Sequence, residues 1–341
     1  MTVTLRDVAE KANVSVSTVS RVLNNKTTNI PISQSTRQRV LQAVQEIGYR
    51  PNIAARHLVN KKTFNLIGII LPTAVPDLSS HPFYMTLVRG VTHLCQQEGY
   101  AVTIHFINTD QADEVDQSYP HILEIPTSGY ILATTLINDQ LLPRFTADHV
   151  PFVHVGRLAS DEGEQSCFVD VDNYRGGCLA VEHLLSKGHQ KIATIAATEP
   201  LHAGAERLRG YQETMCRAGI SPHPDWIVYS EFQEAGGYAA IEKLLNSENR
   251  PTAVFAASDS IALGAIKAIQ DHGFEVPTDM AVVGFDDIPD ALRSQPPLTT
   301  IRQPIFDLGE TAAKLLLAIL KGENDVASVI LQPKLIVRDT T

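Results

Sequence analysis

The chain of 341 residues has no long hydrophobic run. Its apolar stretches fall short of the roughly 18 residues that a membrane-spanning helix needs. Charged residues interrupt the N-terminal segment MTVTLRDVAEKANV, which therefore does not match a secretion signal. We accordingly expect a cytoplasmic protein that has no membrane partner.

Cysteine is scarce, and the spacing typical of a metal or redox centre is missing. The four cysteines form no C-x-x-C pair, and the twelve histidines include no H-E-x-x-H motif. The sequence also lacks a Walker A loop, a G-x-G-x-x-G fingerprint and a G-x-S-x-G elbow. We therefore predict no metal site, no cofactor and no catalytic residue, which disfavours an enzyme.

The chain as a whole has no excess of positive charge, since its net charge is −10. The distribution is uneven, because residues 1–62 hold ten Lys and Arg against three Asp and Glu, a local charge of +7. The remaining residues carry −17. An acidic body repels phosphate groups, so we expect any contact with nucleic acid to be confined to the basic N-terminal segment.

Two short helices are predicted at the start of this basic segment. Apolar residues at i, i+3, i+4 and i+7 between positions 5 and 12 define one face of the first helix, which stops at Asn13. The second helix starts near Val16, with Ser15 as its N-cap and its later apolar residues facing inward. The turn between these helices has the three or four residues of a helix-turn-helix.

A third helix follows a polar loop at 24–33. Ser33 or Ser35 caps this helix, and Gly48 ends it. Its predicted inner side consists of Val40, Leu41, Val44 and Ile47. Residues 1–48 therefore form a predicted three-helix DNA-binding head.

The segment 49–63 is predicted to be a hinge helix and linker. Pro51 suits the first turn of a helix, and residues 52–58 are long enough for about two turns. A helix this short is marginal in water by itself, so we expect it to form only when something holds it.

From residue 64 onward, apolar runs of strand length alternate with amphipathic segments of helix length. Near-continuous apolar strands separated by helices indicate parallel sheets covered on both faces, and their number favours two doubly wound lobes. Ligands of such sheets bind beyond the carboxyl ends of the strands. The clearest runs are LIGIIL (66–71), AVTIHF (101–106), GYILAT (129–134), PFVHVG (151–156), KIATIAA (191–197), AVFAAS (253–258) and AVVGF (281–285).

The whole chain resembles the lactose/galactose-repressor family of bacterial transcription regulators. The motifs that carry the resemblance are TLRDVAEKANVSVSTVSRVLNN, TRQRVLQAVQEIGYRPN, AARHL, VDVDNYRGG, ERLRGY, ASDSIALGAIKA and VVGFDDIP. The family implies a homodimer on a pseudo-palindromic operator and a two-lobed effector domain similar to periplasmic sugar-binding proteins. It places one lobe at about 64–160 plus 292–322 and the other at about 161–291 plus 323–341.

The resemblance implies which residues read DNA. Val16 and Ser17 match base-reading positions, and a valine suits a thymine methyl while a serine bonds any base. Arg21 suits guanine or, alternatively, a phosphate or an intramolecular pair, and Thr18 suits a phosphate. In the hinge, Asn52 and Ala55 match groove-facing positions, and Leu58 matches a leucine that kinks the minor groove. Val59 stands where the family often has a basic residue. An ordinary surface helix, and a core role for Leu58, are the alternative interpretations.

The resemblance also implies an effector site between the lobes. Arg207 and Asp286 match residues that bind ligand oxygens, and Phe232 matches an aromatic that packs on the ligand; core packing is the alternative for a phenylalanine. Asp259 is expected to cap the helix that follows it, and Asp172 and Asn173 to be either caps or ligands. The other candidates are Phe83, Tyr84, Arg157 and Ser258.

The predicted function is that of a repressor whose operator affinity is set by a small molecule, most simply a sugar. Corepression by a purine or by a partner protein is the alternative within the family. A solute-binding receptor and a sugar-processing enzyme are less favoured, because the former leaves the basic head unexplained and the latter requires a nucleophile and base that the sequence does not pair.

Overall fold

The structure is a computed structural model that describes residues 3–23, 32–49, 65–72, 82–133, 139–158, 166–198, 201–323 and 325–341. The chain divides into two compact units, residues 1–63 and residues 64–341. The predicted hinge lies outside the described residues, apart from Tyr49. None of the described helices is long and apolar enough to cross a membrane.

The first unit contains the three predicted helices, at Leu5–Ala12 (α1), Val16–Leu23 (α2) and Gln34–Glu46 (α3). The carboxylate of Asp7 accepts a hydrogen bond from the backbone of Thr4 at 2.7 Å, which fixes the start of α1. The helix ends at Asn13, whose φ of +50° is left-handed. Of the two caps predicted for α3, Ser33 is the one used, because its hydroxyl accepts from the Thr36 N–H at 3.2 Å.

The core of the head is built from small apolar residues. Val8, Val19 and Val40, one from each helix, are fully buried at its centre. The prediction that Leu41 lies on the inner side is wrong, since its side chain is 48% exposed. A step of one residue turns the side chain by about 100° around a helix, so Leu41 points away from Val40 and Ala43 takes the inner place.

The second unit contains two six-stranded sheets with helices between their strands. The described strands are Leu66–Leu71 (β1), Ala101–Phe106 (β2), Gly129–Leu132 (β3), Phe152–Val155 (β4), Phe168–Val171 (β5), Ile192–Ala197 (β6), Ile227–Ser230 (β7), Ala253–Ala256 (β8), Ala281–Asp286 (β9), Thr299–Arg302 (β10), Val329–Leu331 (β11) and Lys334–Ile336 (β12). The described helices are Pro82–Gln97 (α4), Ala112–Glu124 (α5), Leu141–Ala147 (α6), Asn173–Ser186 (α7), His202–Arg217 (α8), Glu234–Leu245 (α9), Asp259–Asp271 (α10), Pro289–Arg293 (α11) and Ile305–Leu320 (α12).

The strands are ordered β11-β5-β4-β3-β1-β2 in one sheet and β12-β10-β9-β8-β6-β7 in the other. The pairing is parallel throughout, except that β12 runs antiparallel to β10. The first sheet and its helices form lobe 1, and the second sheet and its helices form lobe 2. Two doubly wound lobes were expected from the alternating apolar runs, and this prediction is confirmed.

The points at which the chain crosses between the lobes differ from the prediction. Strand β5 pairs with β4 and therefore belongs to lobe 1, although residues from 161 onward were assigned to lobe 2. Strand β10 pairs with β9 in lobe 2 and β11 with β5 in lobe 1, so the later crossings lie near residues 303 and 332 rather than 292 and 323. These three strands have only three or four residues, too few for an apolar run to mark them in the sequence.

Candidate functional site

The exposed surface of α2 begins at its first turn. Val16 is 40% exposed and Ser17 is exposed, whereas Val19 and Val22 are buried against the other helices. Thr18 and Arg21 are half-buried, with Arg21 in the last turn. Small side chains on the outer face leave the backbone of α2 open to close approach by another molecule.

A hydroxyl network organises this first turn. The Ser15 side chain accepts from the Thr18 N–H at 3.1 Å, as expected of an N-cap. The same oxygen lies 2.7 Å from the Ser17 hydroxyl and 2.8 Å from the Thr18 hydroxyl. The hydroxyls of Ser17 and Thr18 therefore share one partner, so the orientation of one constrains the other, a coupling that sequence reasoning missed. Asn52, Ala55 and Leu58 lie outside the described residues.

The second candidate site is the cleft between lobes 1 and 2, at the carboxyl ends of the parallel strands. Arg157 follows β4, Asp172 follows β5, and Asp286 ends β9. All three crossings between the lobes also lie at this edge, because they follow β5, β10 and β11 directly. Polar side chains from both sheets thus meet where a doubly wound fold binds ligands.

Arg207 is the centre of the polar cluster in this cleft. It lies in α8 and is only 6% exposed. Its Nε donates to Oδ1 of Asn173 at 2.9 Å, and its Nη1 donates to the Ala257 carbonyl at 2.6 Å. The guanidinium lies 3.7 Å from the ring centroid of Phe285. Nη1 is also 4.0 Å from the carboxylate of Asp286.

The packing of α8 on α7 fixes the backbone of this arginine. A Cβ atom on Gly177 would overlap the carbonyl of Arg207, and one on Gly210 would overlap the carbonyl of Tyr174. Only glycine permits so close an approach of the two helices at these positions. The guanidinium is therefore carried on a rigid helix pair rather than on a loop.

The charges of three carboxylates act on Arg207; Asp170 and Asp259 are buried, and Asp286 is half-buried. Burial lowers the pKa of Arg207, while the charges of Asp286, Asp170 and Asp259 oppose that shift. Burial raises the pKa of Asp286 to about 6, against the opposing effects of Arg207 and a hydrogen bond from Gln303. Because a guanidinium keeps its proton in proteins, the cluster holds one fixed positive charge among acids that resist ionisation.

The other two carboxylates have mainly internal partners. Asp259 is fully buried and accepts from the Ile288 N–H at 2.8 Å and from the Thr300 hydroxyl. Burial, and next the nearby Asp286, raise the pKa of Asp259 well above its usual range. Asp170 accepts from the N–H of Arg157, and burial raises its pKa as well.

Two of the candidate ligand residues cap helices. Asp172 accepts from the Arg175 N–H at 2.8 Å, and Ser258 accepts from the Ile261 N–H at 3.2 Å. Ser258 therefore occupies the capping position predicted for Asp259, and that prediction is wrong, because Asp259 turns inward to strands β9 and β10.

The aromatic candidates lie on opposite lobes. Phe83 and Tyr84 are in the first turn of α4, packed against the lobe 1 core with their rings edge to face at 5.3 Å. Phe232 follows β7 and packs half-buried against the lobe 2 core. Each side chain is half-buried, so one part of each ring packs in the core and the rest remains accessible.

Arg157 connects the two lobes. It stands at the end of β4 in lobe 1, and its Nη2 lies 3.3 Å from Nε2 of His202 and 3.5 Å from the carboxylate of Glu206. Both partners are on α8 in lobe 2, where Glu206 also accepts from Arg209 at 2.8 Å. Sequence reasoning placed Arg157 at the cleft but missed both partners, since nothing in the sequence relates positions 157 and 206.

A cavity of about 220 Å³ opens beside Asp286 between the lobes. Its walls include Gln303 from lobe 2 and Thr86 and Phe306 from lobe 1. The cavity combines the carboxylates of Asp286 and Asp287 and the guanidinium of Arg302 with apolar walls, and Arg207 lies 4.0 Å from the Asp286 carboxylate. This combination suits a hydroxylated small molecule. Among the described residues, no group of three or more His, Cys, Asp or Glu is placed to hold a metal ion.

Comparison with known proteins identifies both parts of the chain. Residues 4–52 match the family model described as bacterial regulatory proteins, lacI family, and residues 181–341 match the periplasmic binding protein-like domain. The HTH-type transcriptional regulator CelR of Thermobifida fusca is 34% identical over 338 residues, which are 99% of this chain and 98% of that protein.

Solved structures agree with this match. The lac repressor dimer bound to operator and the anti-inducer ONPF matches with a TM-score of 0.88 at 30% identity, over 100% of this chain and 99% of that chain. The complex of the transcriptional regulator CelR with cellobiose matches with a TM-score of 0.77 at 32% identity, over 99% of this chain and 100% of that chain.

A helix-turn-helix head joined to a two-lobed body with a polar cleft defines a bacterial transcription regulator. This identification agrees with the similarity over the full length of the chain. The chain belongs to the lacI family of bacterial regulatory proteins.

Proposed function

We propose that the protein represses transcription by binding a specific operator through its head, and that a small molecule bound between the lobes sets the operator affinity. The observation that carries this proposal is the buried cluster of Arg207 with Asp286, Asp170 and Asn173 at the carboxyl edge of both sheets. Burying charged groups costs free energy, and perturbed buried clusters of this kind concentrate at functional sites.

In this proposal the first turn of α2 enters the major groove. Val16 and Ser17 contact base edges, Thr18 a phosphate and Arg21 a guanine. Asn52, Ala55 and Leu58 contact the minor groove. Two copies of the chain bind the two halves of a pseudo-palindromic site, so the protein is associated with the nucleoid when operator-bound.

The proposed effector is a neutral sugar. Arg207 donates to its hydroxyls, Asp286 accepts from them, and Phe232 packs on its less polar face. Phe83, Tyr84, Arg157, Asp172 and Ser258 complete the proposed pocket. A solved relative, CelR, holds cellobiose, which makes a disaccharide a reasonable first probe. A purine is the alternative, because the Phe232 ring would stack on a nucleobase equally well.

The proposal is tested by first selecting an operator for the full chain from a random duplex library. Cellobiose, ribose, glucose 6-phosphate and hypoxanthine are then screened for a rise in melting temperature and for a change in operator affinity. A sugar that stabilises the protein and changes operator binding is the expected result. A ligand that binds tightly yet leaves operator affinity unchanged would contradict the control mechanism, and the absence of a selected operator would contradict the DNA-binding role.

Effector affinity is expected to depend on pH through Asp286. The pKa of this carboxyl is raised by burial to about 6 from an ordinary value of 3.8, so the carboxylate that accepts from hydroxyls is present above pH 6 and lost below it. Isothermal titration with the sugar found above should give binding about tenfold weaker at pH 5 than at pH 7. The Asp286→Asn variant should bind more weakly and show no such dependence.

The raised pKa of Asp286 makes folding stability decrease with rising pH, whereas effector affinity is expected to increase. A raised folded-state pKa means that the folded protein binds the Asp286 proton more tightly than the unfolded chain. The contribution of this group to stability is therefore fully present below pH 3.8 and lost as the pH rises through 6. In the titration experiment, an effector affinity that was greatest at low pH would contradict the assignment of Asp286 as an acceptor.

A further inference from the structure

Two consecutive aspartates at the end of β9 adopt backbone conformations that residues other than glycine rarely take. Asp286 has a φ of +120° and Asp287 a φ of +61°. Conformations of this kind are strained and persist only when surrounding contacts hold them. Of the two, Asp286 faces Arg207 in the cleft, so a strained turn presents the carboxylate proposed to meet the effector.

The contacts of Asp287 constrain this turn. Its Oδ2 accepts from Nε of Arg302 at 2.6 Å, and its Oδ1 accepts from Nη2 of Arg338 at 2.5 Å. Both oxygens are thus engaged by guanidinium groups, and the Asp287 side chain is only 8% exposed. Charge-assisted hydrogen bonds of this kind are about twice as strong as neutral ones.

The two arginines are themselves fixed on the sheet. Arg302 ends β10 and stands opposite Asp286 in the parallel register of β9 and β10. Arg338 follows β12, and its Nη1 donates to the Leu298 carbonyl at 2.7 Å. Its backbone N–H donates to the Thr299 hydroxyl at 2.9 Å. Asp287 is therefore clamped between two rigid points from distant parts of the chain.

We infer that Arg302 and Arg338 are positioning residues for effector recognition, which hold the left-handed turn through Asp287 so that Asp286 is aimed at Arg207. This inference rests on the proposed effector role of Asp286. Arg302 lines the cavity beside Asp286 together with Asp287, so the titration of Asp286 without effector is what separates positioning from direct contact. Loss of the clamp lets the turn relax to an ordinary conformation and carries the Asp286 carboxylate away from the cleft. Supporting residues one step behind a binding group typically change affinity by about tenfold or more.

The test compares Arg302→Gln with Arg293→Gln in the full chain. Arg302 is 51% exposed, so its replacement should leave the protein folded while removing one donor to Asp287. Arg293 is a matched control, because it is an exposed arginine in the adjacent helix α11 whose ion pair is with Asp290 at 3.5 Å. Asp287→Asn is a second variant, since asparagine tolerates a left-handed conformation but carries no charge.

The first readout needs no effector. The Asp286 carboxyl is titrated by carbon NMR, with its signal assigned from the Asp286→Asn variant. We expect the pKa of Asp286 to fall towards its ordinary range in Arg302→Gln and Asp287→Asn, because the released carboxyl reaches water, and to stay unchanged in Arg293→Gln. A crystal structure of Arg302→Gln should show Asp286 displaced from Arg207. An unchanged titration and an unchanged Asp286 position in both variants would overturn the inference.

The second readout is binding of cellobiose, with ribose and hypoxanthine as further probes. We expect affinity about tenfold weaker in Arg302→Gln than in Arg293→Gln, with operator binding equal in both. If none of the probes binds, or if Asp286→Asn binds them normally, the proposed effector site fails. The carboxyl titration still decides whether the arginines position Asp286, so the two failures are distinguishable.

Discussion

Replacing Arg207 with alanine should abolish the response to effector while the protein still binds its operator. The guanidinium is buried and makes hydrogen bonds to Asn173 and to the Ala257 carbonyl. Its loss removes the guanidinium hydrogen-bond donors and leaves the neighbouring carboxylates without a compensating positive charge. Truncating one partner of a buried charge cluster costs about 2–5 kcal/mol of binding, so we expect affinity at least thirtyfold weaker by isothermal titration.

The matched control for this experiment is Arg209→Ala. Arg209 lies two residues further along α8, is exposed, and packs over the Tyr174 ring with its guanidinium 4.4 Å from the ring centroid. Its removal should leave effector affinity within about twofold of the wild type, since surface ion pairs contribute little. Arg207→Ala should also lower the melting temperature, whereas Arg209→Ala should not. Normal effector binding by a folded Arg207→Ala protein would refute the site.

Removing residues 1–63 should abolish specific operator binding and leave effector binding intact. The segment 1–62 carries a charge of +7, whereas the rest of the chain carries −17 and repels phosphates. The body keeps its own cores, built from the two sheets and their helices, and so does not depend on the head for burial. We expect a loss of affinity of at least about a thousandfold, measured by fluorescence anisotropy with the selected operator.

The salt dependence of operator affinity is the control for the truncation experiment. Operator affinity of the full chain should fall steeply between 50 and 200 mM salt, because the basic head displaces counterions, and roughly 10³–10⁵-fold losses are usual for six to ten phosphate contacts. The truncated protein should show no specific operator binding at either salt concentration. Specific binding retained by the truncated protein would place the DNA-contacting surface in the body and overturn the assignment of α2.

The sequence allowed most of the helices and the longer strands to be predicted. Helices of the head follow from apolar spacing and from caps such as Ser15 and Ser33, which local chemistry decides. The strands at 66–71 and 192–197 are long and apolar, and their prediction is confirmed. The short strand at 168–171 was missed because it contains the buried Asp170, and an acidic residue in a four-residue run resembles a loop.

The cleft was less predictable than the fold. Family resemblance pointed to Arg207 and Asp286, which the structure places 4.0 Å apart. Asn173, predicted as either a cap or a ligand, and Asp259, predicted as a cap, complete the cluster around them. These residues come from three strand ends and a helix far apart in sequence, and the packing of helices on the lobe 2 sheet brings them together. Local patterns carry no information about such contacts.

The three crossings also fix an order of events during synthesis. Helix α12 covers lobe 1, where Leu308, Ala312 and Leu316 are buried with strands β1, β4 and β5. By the time β5 is made, five strands of that sheet and helix α4 exist, but α12, which completes this core, is still about 130 residues from being translated. At bacterial elongation rates the apolar face of lobe 1 waits roughly 7–30 s for α12, while lobe 2 is being built. We therefore expect nascent lobe 1 to expose apolar surface on the ribosome until α12 is made.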